Sequence, residues 1–368
     1  MMKQRTCEII AGEQNEVKNS FNIDNEVNKK SLWYKNWVSV SLLMICIIHF
    51  SSCDSAYDEC VYQPDISGTE VYIEIEQLQD KIVNVQSRDE LAKLLEDNTV
   101  IREYFMKRST YPNDSIMLDV LMKKFQNPHI DTLSMEVKRV FGDLSGLKAN
   151  LTRAFSHLKF YYPDAEIPKI QTVVSGLAHD MYFSDSLIVI GLDYYLGEGA
   201  KFRPLSLYQY MLQRYSPEYI APSIMLLKGI SEEYNTTKLS DKTALADMVA
   251  YGKSFYFAKR MMPCVPDSVL IWYTQEEIDG VRDNRKTVWA HMLENEILFE
   301  TNHMVKKKYL DERPKTYEIG EKAPGRIATW VGWDIVKEYM KKNPDITLPQ
   351  LMQTTDAQEI FRSSKYKP

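Results

Sequence analysis

Lys169-Ile-Gln-Thr-Val-Val-Ser175 and Ser186-Leu-Ile-Val-Ile-Gly191 are short β-branched runs in a chain whose apolar spacing elsewhere is mostly helical. β-Branched residues suit a pleated, buried surface, and Asp180 with Ser184-Asp185 supplies turn chemistry between the runs. A small antiparallel sheet is expected here, ended by the loop Gly197-Glu-Gly199. Upstream, Leu133, Val137, Val140, Leu144, Leu147, Leu151, Phe155 and Leu158 step by three or four. That spacing predicts one continuous core-facing helix, with Gly142 and Gly146 inside it permitting close packing. Earlier, Ser87 with Glu90 three residues later reads as a capping box opening a helix through Leu91, Leu94, Leu95, Val100 and Ile101. A second helix runs from Ile116 to Phe125 and stops near Pro128, while Glu70-Val-Tyr-Ile-Glu-Ile-Glu76 alternates as a strand does. From Leu205 to the C-terminus the pattern is helical and punctuated by prolines. The predicted class is α+β, mainly α-helical.

Near the N-terminus, the run Trp37 to Phe50 is apolar, preceded by Lys29, Lys30 and Lys35 and followed by Ser51-Ser52-Cys53. A basic flank, a short apolar core and small residues describe an export signal, and the cysteine adds a lipoprotein reading with acylation, palmitate included, on Cys53. A membrane span needs about 18 to 20 apolar residues, and Ser39, Ser41 and His49 interrupt this shorter run. The acidic leader before it points to a start near residues 27 to 32. The expected organisation is a signal peptide at 1–52 and a lipidated tether at 53–68. A helical region at 69–165 follows, and then a helical region with the small sheet at 166–368.

The net charge is −6 and the only notable basic run is Lys306-Lys307-Lys308, which excludes a nucleic-acid partner. Hydrophobic content of 44% and charged content of 26% are ordinary for a globular body. Of five cysteines, only Cys60 and Cys264 would remain free for pairing after export. An oxidising compartment permits that disulfide, but the distance in sequence and the place of Cys60 in a tether argue against it. No Cys-x-x-Cys pair exists.

Several long blocks in order resemble the gliding-motility lipoprotein GldB family of Bacteroidota. They are Ile167 to Ser175, Asp185 to Asp193, Met248-Val-Ala-Tyr-Gly-Lys-Ser-Phe-Tyr-Phe257, Pro266-Asp-Ser, Ile271-Trp-Tyr-Thr, Trp289 to Leu298, Pro324-Gly-Arg-Ile-Ala-Thr-Trp-Val-Gly-Trp333 and Ser364 to Pro368. The resemblance implies a lipidated N-terminus, for which Cys53 is the matching position, and a body facing the periplasm. It further implies a distant similarity to zinc-dependent proteases, which need His-Glu-x-x-His to place two imidazoles on one face of a helix. The matching helix, Ile220 to Tyr234, contains no histidine, and Tyr251-Gly252 stands where those proteases carry a third-ligand glutamate. The six histidines of the chain include no pair spaced by four. A peptidase-like shell without metal or cofactor is therefore expected.

Other candidates are structural on balance. Glu232-Glu233 and Glu276-Glu277 are adjacent acids that diverge on a helix and read as solvated surface. His291 and Glu294, one turn apart, could share a hydrogen bond or hold a metal with outside help, and two ligands alone make a poor site. Arg326 opens a predicted helix and reads as a buried guanidinium satisfying carboxylates or carbonyls of the preceding helix, Glu294 or Glu296 among them; its functional alternative is recognition of an anionic ligand. The resulting expectation is a non-enzymatic, membrane-anchored envelope lipoprotein, a scaffold or accessory factor among motility or secretion proteins. An unrecognised hydrolase, or a peptide- or carbohydrate-binding lipoprotein using its 23 tyrosines, is the alternative.

Overall fold

The computed structural model describes Cys60, residues 64–205 and residues 207–368; the signal segment, its start site and Cys53 lie outside the described residues. The sheet has four strands, β1 (Ile75–Gln77), β2 (Lys169–Val173), β3 (Met181–Phe183) and β4 (Leu187–Gly191), in the order β1-β2-β4-β3. It is mixed, which corrects the antiparallel expectation. β1 and β4 both run parallel to β2, and β3 alone pairs antiparallel with β4. The composition of β4 explains the difference. A Leu-Ile-Val-Ile run without alternation suits a strand buried on both faces, as parallel sheets are, and Ile188, Val189 and Ile190 are fully buried. Residues 174–186 are long enough for a parallel connection, and they carry β3 as an added hairpin arm.

Five helices precede or flank this sheet: α1 (Gln79–Val83), α2 (Arg88–Asp97), α3 (Asp114–Phe125), α4 (Pro128–Phe141) and α5 (Ser145–Tyr161). Ser87 caps α2 by accepting from the Glu90 amide at 3.1 Å, while Glu90 accepts from the Gln86 amide at 2.9 Å. α2 ends at Asp97, and Ile101 belongs to a separate π-helical turn, Ile101–Phe105. Pro128 does not merely end a helix: it sits at the first turn of α4, where its missing N–H costs nothing. The predicted continuous helix from Leu133 to Leu158 is broken. Gly142 takes φ +57° and Leu144 φ +65°, so the chain turns between α4 and α5. The periodicity still named the buried residues, since Leu133, Val137, Leu144, Leu147, Leu151, Phe155 and Leu158 are all in the core.

The helical body comprises α6 (Ile220–Ile230), α7 (Ala244–Met261), α8 (Asp267–Ile271), α9 (Gln275–Asp283), α10 (Arg285–Glu294), α11 (His303–Leu310), α12 (Ile327–Lys342), α13 (Leu348–Gln353) and α14 (Ala357–Ser364). α7 is central and packs against α6, α12 and α14. α7 and α12 cross backbone against backbone: a Cβ on Gly252 would overlap the Gly332 carbonyl, and one on Gly332 would overlap the Met248 carbonyl. Trp330 and Trp333 fill the core beside this crossing, with Trp333 5.3 Å from Phe255. Among the described residues, no helix is long and apolar enough to cross a membrane.

Cys60 and Cys264 form a disulfide, which corrects the expectation that they stay apart. Their Cα atoms lie 4.5 Å apart across a sequence separation of 204, because the turn after α7 is brought against the start of the described body. Sequence distance carries no information about such an approach. Closing so long a loop typically contributes about 2–4 kcal/mol.

Candidate functional site

Arg326 is placed by an unusually tight entry into α12. Thr316 Oγ1 donates to the Pro324 carbonyl at 2.7 Å, and a Cβ on Gly325 would overlap the Arg313 carbonyl. Only glycine permits that approach. Arg326 itself takes φ +57°, which aims its side chain inward. There its Nη2 donates to the Ile271 carbonyl at 2.7 Å, supplying a donor to an otherwise orphaned carbonyl at the end of α8. The guanidinium lies 5.2 Å from the Trp272 ring and its Nε is 3.2 Å from Glu312 Oε2. The acidic partner is therefore Glu312, not Glu294 at the end of α10 or Glu296 just after it, both of which are exposed.

Glu312 binds a second arginine. Arg214 Nη1 and Nη2 donate to Glu312 Oε2 and Oε1 at 2.7 and 2.8 Å, and the Arg214 guanidinium lies 5.0 Å from the same Trp272 ring. One carboxylate and one indole thus hold two cations, with Trp272 itself at φ +61°. Burial pushes the Glu312 carboxyl up, but the Arg214 hydrogen bonds and the two guanidinium charges outweigh it and leave it below the ordinary glutamate value of 4.5. A carboxyl lowered in the folded state stabilises above its unfolded value, and that contribution is lost as pH falls through the folded value. Glu312→Ala is accordingly expected to destabilise the chain by about 2–4 kcal/mol at neutral pH, the lower end reflecting its partial exposure. The variant should also lose less stability than the wild type between pH 5 and pH 3 in urea titrations. Equal acid sensitivity in both proteins would remove Glu312 as the coupling carboxylate.

His291 and Glu294 are not brought together. His291 Nε2 is 3.0 Å from the Tyr309 hydroxyl, and Glu294 faces solvent. Glu277 completes a capping box with Thr274 and accepts from Lys315 Nζ at 2.7 Å, so it serves α9 rather than a dyad. Lys306 donates to the Lys242 carbonyl at 2.8 Å and pairs with Asp247. Among the described residues, no group of three or more His, Cys, Asp or Glu is arranged to hold a metal ion.

Parallel sheets commonly bind ligands beyond the carboxyl ends of their strands. Here the chain fills that place with its own carboxylate. Gly176 and Leu177, at φ +67° and +59°, turn the loop after β2 so that the Ser175 and Leu177 amides donate to buried Asp193. Lys124 Nζ donates to the Ser175 carbonyl at 2.6 Å. Burial pushes the Asp193 carboxyl up, with the loop amides and Lys124 opposing. The Ser175 hydroxyl accepts from the Ala178 amide at 3.0 Å and is fully buried, so it offers no accessible nucleophile. At the rim, His179 Nδ1 stands 3.1 Å from Asp180 Oδ1, and the Tyr215 hydroxyl donates to Asp180 Oδ2 at 3.2 Å. Tyr215 follows Arg214 in the chain, which makes this rim and the arginine cluster neighbours.

The chain matches the family described as Gliding motility protein GldB over residues 59–368. It belongs to that family. No curated protein and no solved structure matches it.

The order of elements in this GldB-family chain places the residues discussed for a metal site on α6 and α7. α6 contributes Lys228, buried, 4.0 Å from Glu233 and 5.3 Å from the Tyr234 ring. Tyr251, on α7, has its hydroxyl pushed up by burial and by Asp247 and Asp311, with Arg326 opposing, so it stays a neutral phenol. Arg214, Glu312 and Lys228 were not singled out by sequence. Nothing in their local pattern separates them from surface charges.

Proposed function

We propose that this GldB-family chain is a non-enzymatic, membrane-anchored envelope lipoprotein, held by acylation of Cys53, that serves motility or secretion machinery as a scaffold or accessory factor. The cation cluster carries the non-enzymatic part. Arg326 opens α12, which crosses α7 at Gly252 next to Tyr251, so a fixed positive charge already bonded to Glu312 and Ile271 lies on the side of α7 that a zinc peptidase would line with ligands. A divalent cation there would be repelled by the guanidinium, would find a phenol rather than a carboxylate, and would meet no imidazole on α6. A helix face without metal ligands suits a surface that partners hold rather than a site that turns over substrate.

Metal analysis and peptide-hydrolysis assays on the chain purified after zinc supplementation test this. Zinc far below one per chain and no chelator-sensitive cleavage are expected. Stoichiometric zinc, with hydrolysis lost on chelation, would establish a hydrolase instead.

A further inference from the structure

The loop between the sheet and α6 exposes apolar side chains in a basic setting. Gly197 N–H donates to the Tyr215 carbonyl at 2.8 Å and closes the loop's base, and the Arg214–Glu312 pair pins its returning end. Pro204 is buried and Phe202 half-buried, so the loop is anchored part-way along. Its tip nevertheless leaves Leu205 fully exposed and Tyr208 71% exposed, with Tyr208 stacked 6.0 Å from Tyr210. A closed base with an apolar tip in water needs a reason.

Charge indicates what covers it. Between Ala200 and Tyr208 the chain has two exposed cations, Lys201 and Arg203, and no acid. Glu198, just before, accepts from Gln209 Nε2 at 3.1 Å. This local excess of positive charge sits in a chain of net charge −6. Met135, an exposed apolar residue elsewhere, instead stands beside Glu136 and near Asp131. Lysine and arginine beside leucine and tyrosine are the combination that rests at a bilayer interface, apolar parts among the acyl chains and cations at anionic headgroups.

We propose that Lys201, Arg203, Leu205 and Tyr208 form a second membrane contact, seated on a lipid surface that carries anionic headgroups. The inference rests on the proposed membrane anchoring for bringing the loop to a bilayer. An anchor alone leaves the body free to rotate, whereas a second contact fixes which face meets the lipid. Tethering raises the loop's effective concentration at the surface, so its own affinity can be weak.

The test is photocrosslinking of the full chain in vesicles, with benzoylphenylalanine replacing Leu205 in one protein and Met135 in a control. The apolar Trp37–Phe50 segment or an acyl group on Cys53 keeps the chain on the vesicle in either case. The mass of the N-terminal peptide reports acylation separately, so failure of the anchor and failure of the loop are distinguishable. Lipid adducts are expected at position 205 in phosphatidylcholine vesicles containing phosphatidylglycerol, and not at position 135. Lys201→Glu with Arg203→Glu should lower the yield at 205 by about tenfold or more, since each cation near an anionic surface is worth about fivefold. Adducts to a second copy or to another envelope protein, equal lipid adducts at both positions, or no adduct at 205 would each overturn the proposal.

Discussion

Gly332→Ala is expected to destabilise the chain by about 3 kcal/mol, the upper end for overpacking. The added methyl would overlap the Met248 carbonyl of α7, and that neighbour is helix backbone, which has no rotamer to yield. Either α7 and α12 move apart, opening a gap beside the buried Trp330 and Trp333, or the α12 axis shifts and disturbs Arg326 at its start. Gly280→Ala is the control. Gly280 lies inside α9 with nothing within 4 Å of an added Cβ, so alanine there should stabilise by about 0.4–1 kcal/mol through lower unfolded-state entropy. Urea unfolding of both variants measures the contrast, and similar behaviour of the two would sink the close crossing.

Lys253→Met is expected to cost about 3–6 kcal/mol. Lys253 is 1% exposed, and its Nζ donates to three carbonyls, Thr236 at 2.8 Å, Met352 at 3.0 Å and Thr354 at 2.9 Å. The ammonium joins α7 to the ends of two other segments, and methionine keeps the volume while leaving three carbonyls without a donor. Burial pushes the Lys253 ammonium down to about 8 from an ordinary 10.5. For a lowered lysine the unfolded chain holds the proton that the folded chain releases between those values. This group therefore makes stability rise as pH goes from about 8 to 10.5. The methionine variant should lack that rise; a variant with wild-type stability and wild-type slope would show that the tripod contributes nothing.

Several features were legible because they depend on near neighbours. Ser87 caps a helix because its hydroxyl reaches an amide three residues on, whatever the fold around it. The Leu133-to-Leu158 spacing named core residues correctly, since burial of a helical face needs only the 3.6 period. It missed the turn, because Gly142 in a helix and Gly142 ending one differ by a backbone φ that apolar spacing does not encode. β2 and β4 were found by composition, and their direction was misread because a short apolar run is compatible with either pairing. The partners of Arg326, Glu312 and the Ile271 carbonyl, were not legible, because neither lies near it on its own helix.

By itself, the sequence determined the mainly helical α+β class, the membership in the gliding motility protein GldB family over residues 59–368, and most of the buried apolar faces. Only the tertiary structure decided the strand order, the Cys60–Cys264 bridge across 204 residues, and the Arg214–Glu312–Arg326 cluster, whose first pair spans 98. The division is physical. Periodicity and caps act between residues a turn apart, where chain geometry sets the distance, whereas partners a hundred residues apart meet only through the packing of everything between them.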